Sequence, residues 1–331
     1  MAPAVRRRCT ILVLAVATVP LTACDSPLPL DPDPPSTFRK LAAWPPTMGT
    51  LNTAWLGGMR LMRLLPPQST ATPTPGDVVV TLLELDHGAA RVFGTSVDAP
   101  AGNLTVTTAQ GDLFEQQDLL GSTWWINEEQ GKYLVITDYE GEDTHRYRFE
   151  AGTTQTSGHK PVCAPNGYGD AWAYVVADVH AELETSQVSV DPGALLIACV
   201  DGALGKSIEW GFSPWTPPPA DLTSWQTGIR AIRADYCGDG VAHTETGTAI
   251  QIASYAAELE FEFSASVTEA VFGPDGALCL SQPRIPLEGA LGCVLPACDD
   301  QLGNPPSALT SPELAWTKAL LTNPQYGVTQ L

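Results

Sequence analysis

Cys237 and His243 stand six residues apart around Gly238-Asp239-Gly240, with Asp235 two residues before the cysteine. A thiol, an imidazole and a carboxylate are the parts of a nucleophilic site. Cys237 would attack, His243 would take its proton, and Asp235 or Asp239 would orient the imidazole. Two features weigh against that chemistry. This spacing matches no triad signature, and a free Cys237 would leave five cysteines, an odd number, in the rest of the chain beyond residue 24. The same stretch sets Asp235, Cys237, Asp239 and Gly240 at positions 1, 3, 5 and 6 of a calcium-loop register. A thiol suits a hard cation poorly, and Thr246 stands at position 12 where a bidentate glutamate belongs. A structural turn fits these residues better. Asp235 would accept backbone N–H groups where a helix ends, Tyr236 would pack, and Cys237 would be bridged. Gly238 and Gly240 would supply positive φ.

Other candidates are weaker. His180, Glu182 and Glu184 would share one face of a strand, as would Glu258, Glu260 and Glu262, but such spacing is far more often a solvated face than a metal site. Nine tryptophans, Trp124-Trp125 among them, could offer a platform for sugars, although anchoring a core is their commoner use. There is no Gly-x-Ser-x-Gly, no His-Glu-x-x-His and no phosphate loop. No cofactor and no metal is expected.

The start of the chain reads as a targeting segment. Arg6, Arg7 and Arg8 precede an apolar run from Ile11 to Leu21 that is too short to span a bilayer. It ends in Leu21-Thr22-Ala23-Cys24, which resembles a bacterial lipobox, so residues 1–24 are expected to direct lipidation of Cys24. Residues 25–36 hold five prolines and form a stiff tether behind that cysteine. The expected place is a bacterial envelope membrane, on the outer-membrane, periplasmic or cell-surface side rather than the inner membrane, with the lipid as the membrane contact.

Six cysteines remain in the body: Cys163, Cys199, Cys237, Cys279, Cys293 and Cys298. An even number in an exported protein suggests three disulfides, for which about 15 pairings exist. Zinc is disfavoured, because no Cys-x-x-Cys and no close histidine pair occurs. Cys293 and Cys298, separated by Val-Leu-Pro-Ala, are candidates for a local bridge.

A scaffold of strands must hold these groups. Residues 37–76 are irregular, with Leu51, Leu56 and Leu61 recurring every five positions. Residues 77–150 read as a small β-rich region, with strands predicted at 78–85, 133–139 and 146–150, followed by a patternless loop at 151–161. Residues 151–331 form the cysteine-rich part, with strands predicted at 172–179, 194–200, 208–212, 250–254 and 258–265. Asp221 would cap a helix carrying Leu222, Trp225, Ile229 and Ile232 on one face. A second helix is predicted near the C-terminus, from Ser311 and Pro312 to just before Pro324. The fold class is therefore mainly β with two short helices, a disulfide-stabilised sandwich or barrel. Composition agrees: 44% of residues are apolar, 16% are charged, and glycine and proline contribute 29 each. Beyond residue 24 there are 14 bases against 37 acids, a charge of −23, which excludes a phosphate backbone as partner.

The helix expected at 222–232 runs into Arg233-Ala234-Asp235-Tyr236-Cys237-Gly238-Asp239-Gly240. Here the chain resembles the ADYC-domain family of bacterial lipoproteins, together with Ala203-Leu204-Gly205-Lys206, Trp210-Gly211-Phe212 and Pro214-Trp215 upstream and Gly247-Thr248 downstream. The resemblance covers Asp118 to about Pro286. Similar proteins tend to carry cysteines where this chain has Ser207 and Gly228, and their joint absence is what loss of one disulfide looks like. The family has no established activity. The expected function is a non-catalytic binding or structural lipoprotein whose ligand is an unidentified protein or glycan. An exported hydrolase using Cys237 and His243, or carboxylates near Asp235 and Asp239, is the alternative.

Overall fold

Two apolar runs, 173–177 and 194–200, have no polar alternation, and both lie where two hydrophobic cores meet. The computed structural model describes residues 50–51, 56, 63–75, 77–87, 90–127, 131–141, 144–154, 158–165, 171–182, 184–215, 222–254, 266–287, 289–298 and 314–320. Strands β1 (Thr50–Leu51), β2 (Leu64–Leu65), β3 (Val78–Val79), β4 (Leu82–His87), β5 (Ala90–Asp98), β6 (Thr105–Thr108), β7 (Leu113–Glu115), β8 (Thr123–Asn127), β9 (Lys132–Gly141) and β10 (His145–Thr153) come first. Strands β11 (Lys160–Pro161), β12 (Ala173–Ala181) and β13 (Val188–Cys199) lead into helices α1 (Ala203–Glu209) and α2 (Leu222–Arg233). Strands β14 (Ala249–Ser254), β15 (Ser266–Gly273), β16 (Gly276–Leu280) and β17 (Ala315–Leu320) follow.

The larger sheet has 12 strands in the order β3-β2-β13-β12-β10-β9-β8-β4-β5-β6-β7, with β11 on β10. Val80 N–H bonds the Leu65 carbonyl and Thr81 N–H bonds that of Trp125, each at 2.8 Å. One extended stretch thus meets β2 first and β8 next, and the sheet rolls around a core without closing into a barrel. Leu83, Leu85, Trp124, Leu134, Phe149 and Ile197 fill that core. The other faces of β12 and β13 present Tyr174, Val176, Leu196 and Ala198 to the second core, shared with α1, α2 and the smaller sheet. Burial on both faces explains the unbroken apolar runs. The smaller sheet has the order β1-β14-β17-β15-β16.

Four expectations need correction. Residues 208–212 do not form a strand: Ile208 and Glu209 are the last residues of α1, whose Leu204, Ser207 and Ile208 are buried at i, i+3 and i+4. The predicted C-terminal helix is overturned where it can be judged, because Ala315–Leu320 is β17, paired on both sides by β14 and β15. Ala315, Trp316 and Thr317 are all buried there, so central-strand pairing outweighs a helix pattern. The loop expected at 151–161 instead continues β10 to Thr153 and returns as β11. Cys293 and Cys298 do not bridge each other. Cys163 pairs with Cys199, Cys237 with Cys293 and Cys279 with Cys298, at Cα separations of 5.4, 5.6 and 5.0 Å. Residues 1–49, Asp221, the strand expected at 258–265, and Ser311, Pro312 and Pro324 lie outside the described residues.

Candidate functional site

Helix α2 ends because Ala234 takes φ 54°, a left-handed conformation that a non-glycine residue adopts at some cost. Its methyl group is fully buried in the second core, which offsets that cost. The turn places Asp235 inside the protein, with 0% exposure. Its Oδ2 accepts hydrogen bonds from the Arg230 guanidinium and, at 3.0 Å, from the Gly240 amide. Burial pushes the Asp235 carboxyl above its ordinary range, with Arg230 the strongest opposing influence.

Three polar side chains on one flank of α2 tie it to the turn between β12 and β13. Gln226 accepts the Val188 amide at 2.6 Å and donates to the Ser186 carbonyl at 2.8 Å. Arg230 donates to the carbonyls of Thr185 and Pro274, and Arg233 to the Ser186 hydroxyl and, at 2.7 Å, to the Gly240 carbonyl. On the far side, Tyr236 Oη donates to Glu269 Oε1 at 2.7 Å, and Arg284 Nε donates to the same oxygen at 2.6 Å. Burial, reinforced by Glu269, holds the Tyr236 phenol well above its usual value. Arg284 also caps the Ala231 and Ile232 carbonyls at 2.7 and 3.0 Å, placing a cation at the negative end of α2.

The glycines are there for space. A Cβ on Gly238 (φ 70°) would lie 1.9 Å from the Asp275 carbonyl oxygen, and one on Gly240 (φ 87°) would lie 1.9 Å from that of Glu184. The turn is wedged between two hairpin turns, backbone against backbone. Cys237 is bonded to Cys293, so it holds no thiolate. The His243 ring stacks on Tyr236 with centroids 5.5 Å apart, and exposed Asp239 accepts the Val241 amide. Among the described residues, no hydrogen bond joins His243 to Asp235, Asp239 or Cys237.

The model of the ADYC domain matches residues 116–286, just over half of the chain. The chain belongs to the ADYC-domain family. No curated protein and no solved structure matches it. The ADYC segment thus takes in β8 to β16, both helices and Arg284, while β17 joins its smaller sheet from outside the match. Within the segment, Gly205 lets α1 sit directly on β13, since a Cβ there would lie 2.4 Å from the Cys199 carbonyl oxygen. Ser207 is fully buried and donates to the Leu204 carbonyl at 2.8 Å. A Cβ on Gly228 would lie 2.5 Å from the Phe212 ring, so that ring takes the space a side chain at 228 would need.

The remaining candidates do not converge. His180 Nε2 is 3.8 Å from Glu182 Oε2, and Glu184 is not grouped with them. Glu258, Glu260 and Glu262 lie outside the described residues. Trp124 is wholly buried and meets Phe149 edge-on, whereas Trp125 faces the other side of the sheet, half-buried against Tyr133. A cleft of about 470 Å³ opens elsewhere, between the 66–73 loop and the β3–β5 surface, lined by Pro66, Gln68, Ala71, Val79, Thr81 and Thr95. It lies before the ADYC segment. Arg63, just before that loop, pairs with Asp77 just after it and with Asp191 on β13.

Sequence reasoning missed Gln226, Arg230, Arg233, Glu269 and Arg284. The signal was present in α2: polar residues at i, i+4 and i+7 flank the apolar stripe, leaving the helix no purely solvated face.

Proposed function

We propose that this ADYC-domain protein is a non-catalytic envelope lipoprotein. Cys24 carries the lipid, residues 25–36 hold the body off the membrane, and the body binds a protein or glycan partner. The observation behind this proposal is that the motif's reactive groups are spent on the fold. Cys237 is a half-cystine, and Asp235 is buried against Arg230. Three disulfides and the lipobox-like Leu21-Thr22-Ala23-Cys24 suit an extracytoplasmic, lipidated chain. Metabolic labelling with a fatty-acid probe tests the anchor: wild type should be labelled and sediment with membranes, and Cys24→Ala should do neither. Equal labelling of both would refute it. Hydrolysis of an ester or peptide substrate that is lost in His243→Ala would replace the binding role with the hydrolase.

A further inference from the structure

The Cys163–Cys199 disulfide has a neighbour that the other two lack. A carboxylate oxygen of Asp201 and both sulfurs lie within 4.8 Å of one another, and no other such group of three occurs among the described residues. Asp201 Oδ1 is buried and accepts no hydrogen bond, a costly arrangement unless something else takes up its lone pairs. Both cysteine residues are themselves enclosed, at 1% and 2% exposure. In a tetrahedral zinc site with bonds of about 2.0–2.3 Å, the donor atoms stand roughly 3.5–3.8 Å apart. Opening the disulfide lets the two sulfurs separate toward that spacing with the carboxylate already alongside. No zinc motif in the sequence announces this set, because Cys163 and Cys199 are 36 residues apart.

We propose that Cys163, Cys199 and Asp201 bind a zinc-like divalent cation while the two cysteines are reduced, water completing the coordination, and that the disulfide replaces the metal on oxidation. The exchange balances. On loading, the two thiols give up their protons and each sulfur donates a pair to the cation. When a disulfide oxidant arrives, the protein sulfurs lose two electrons and join, and the metal leaves as the dication. The oxidant takes up the two electrons and two protons to become two thiols. Metal and cystine are thus alternative states of the same sulfurs, with Asp201 serving the metal-bound one.

The test uses the full chain carrying Cys24→Ser, reduced with a water-soluble phosphine and alkylated with or without zinc sulfate, with each cysteine read by mass spectrometry. Zinc should slow alkylation of Cys163 and Cys199 by about tenfold and leave Cys237, Cys279, Cys293 and Cys298 essentially unchanged. Asp201→Asn should lose most of that protection yet regain the native Cys163–Cys199 disulfide on reoxidation, showing that it folds. Equal protection of all six cysteines beyond residue 24, protection of none of them, or full protection in Asp201→Asn would overturn the proposal.

Discussion

Replacing Arg230 with methionine keeps an unbranched apolar stem and removes the guanidinium, which takes away its charge together with its hydrogen bonds. The Arg230 side chain is 4% exposed and that of Asp235 is 0% exposed, so water cannot substitute for either partner. Deleting one member of a buried, hydrogen-bonded ion pair costs about 3–5 kcal/mol, because the other charge stays behind. The Thr185 and Pro274 carbonyls lose a donor as well, which places the cost in the upper part of that range. The pH dependence has a definite sign. Burial already raises the Asp235 pKa, and losing Arg230 removes the strongest influence opposing it. A carboxyl whose folded pKa is raised contributes stability that is complete below its unfolded value near 3.8 and is lost as pH rises through the folded value. The gap between wild type and Arg230→Met should therefore be widest at neutral pH and shrink toward pH ~4. Urea unfolding of the Cys24→Ser chain with its disulfides intact measures this. Adding Asp235→Leu to Arg230→Met should cost at least about 2 kcal/mol less than the two single changes summed. A loss below about 1 kcal/mol for Arg230→Met, or strict additivity of the pair, would mean that the buried ion pair does not hold the turn.

Other outcomes follow from neighbouring groups. Gly240→Ala should destabilise the protein by more than about 3 kcal/mol, since its Cβ would fall 1.9 Å from the Glu184 carbonyl, whereas Ala234→Gly should stay within about 1 kcal/mol of wild type; thermal melts check both. Cys237→Ser with Cys293→Ser opens a bridge spanning 56 residues and should cost roughly 4 kcal/mol in the same urea assay. Burial lowers the His145 pKa below 6.5, so its contribution is complete above pH 6.5 and is lost as pH falls through the folded value. Urea midpoints measured from pH 7.5 down to 5 should fall less steeply in His145→Phe than in wild type.

The legible parts of the fold were those governed by one strong local rule. Trp225, Ile229 and Ile232 fall on one helical face and are wholly buried in α2, while the apolar runs predicted as strands at 172–179 and 194–200 are β12 and β13. The helix α1 was hidden because its seven residues offer barely two turns of periodicity, and β17 because Pro312 and Pro324 imitate helix punctuation. The cystine pairing could not be read, since Cys237 and Cys293 are 56 residues apart and are brought together only by the tertiary arrangement. At the turn, the glycines and Asp235 showed themselves by type. Arg230 and Arg284 did not, because an arginine beside an apolar stripe reads as solvated until the carboxylate that neutralises it, Asp235 or Glu269, is placed in space.

Thiol mapping of the folded Cys24→Ser chain bears most directly on the claim that the turn is structural. The protein is alkylated without reductant, digested and sequenced by mass spectrometry. No modified cysteine should be found beyond residue 24, and the linked peptides should join Cys163 to Cys199, Cys237 to Cys293 and Cys279 to Cys298. An alkylated Cys237 in folded material would contradict that claim and return the turn to nucleophilic chemistry.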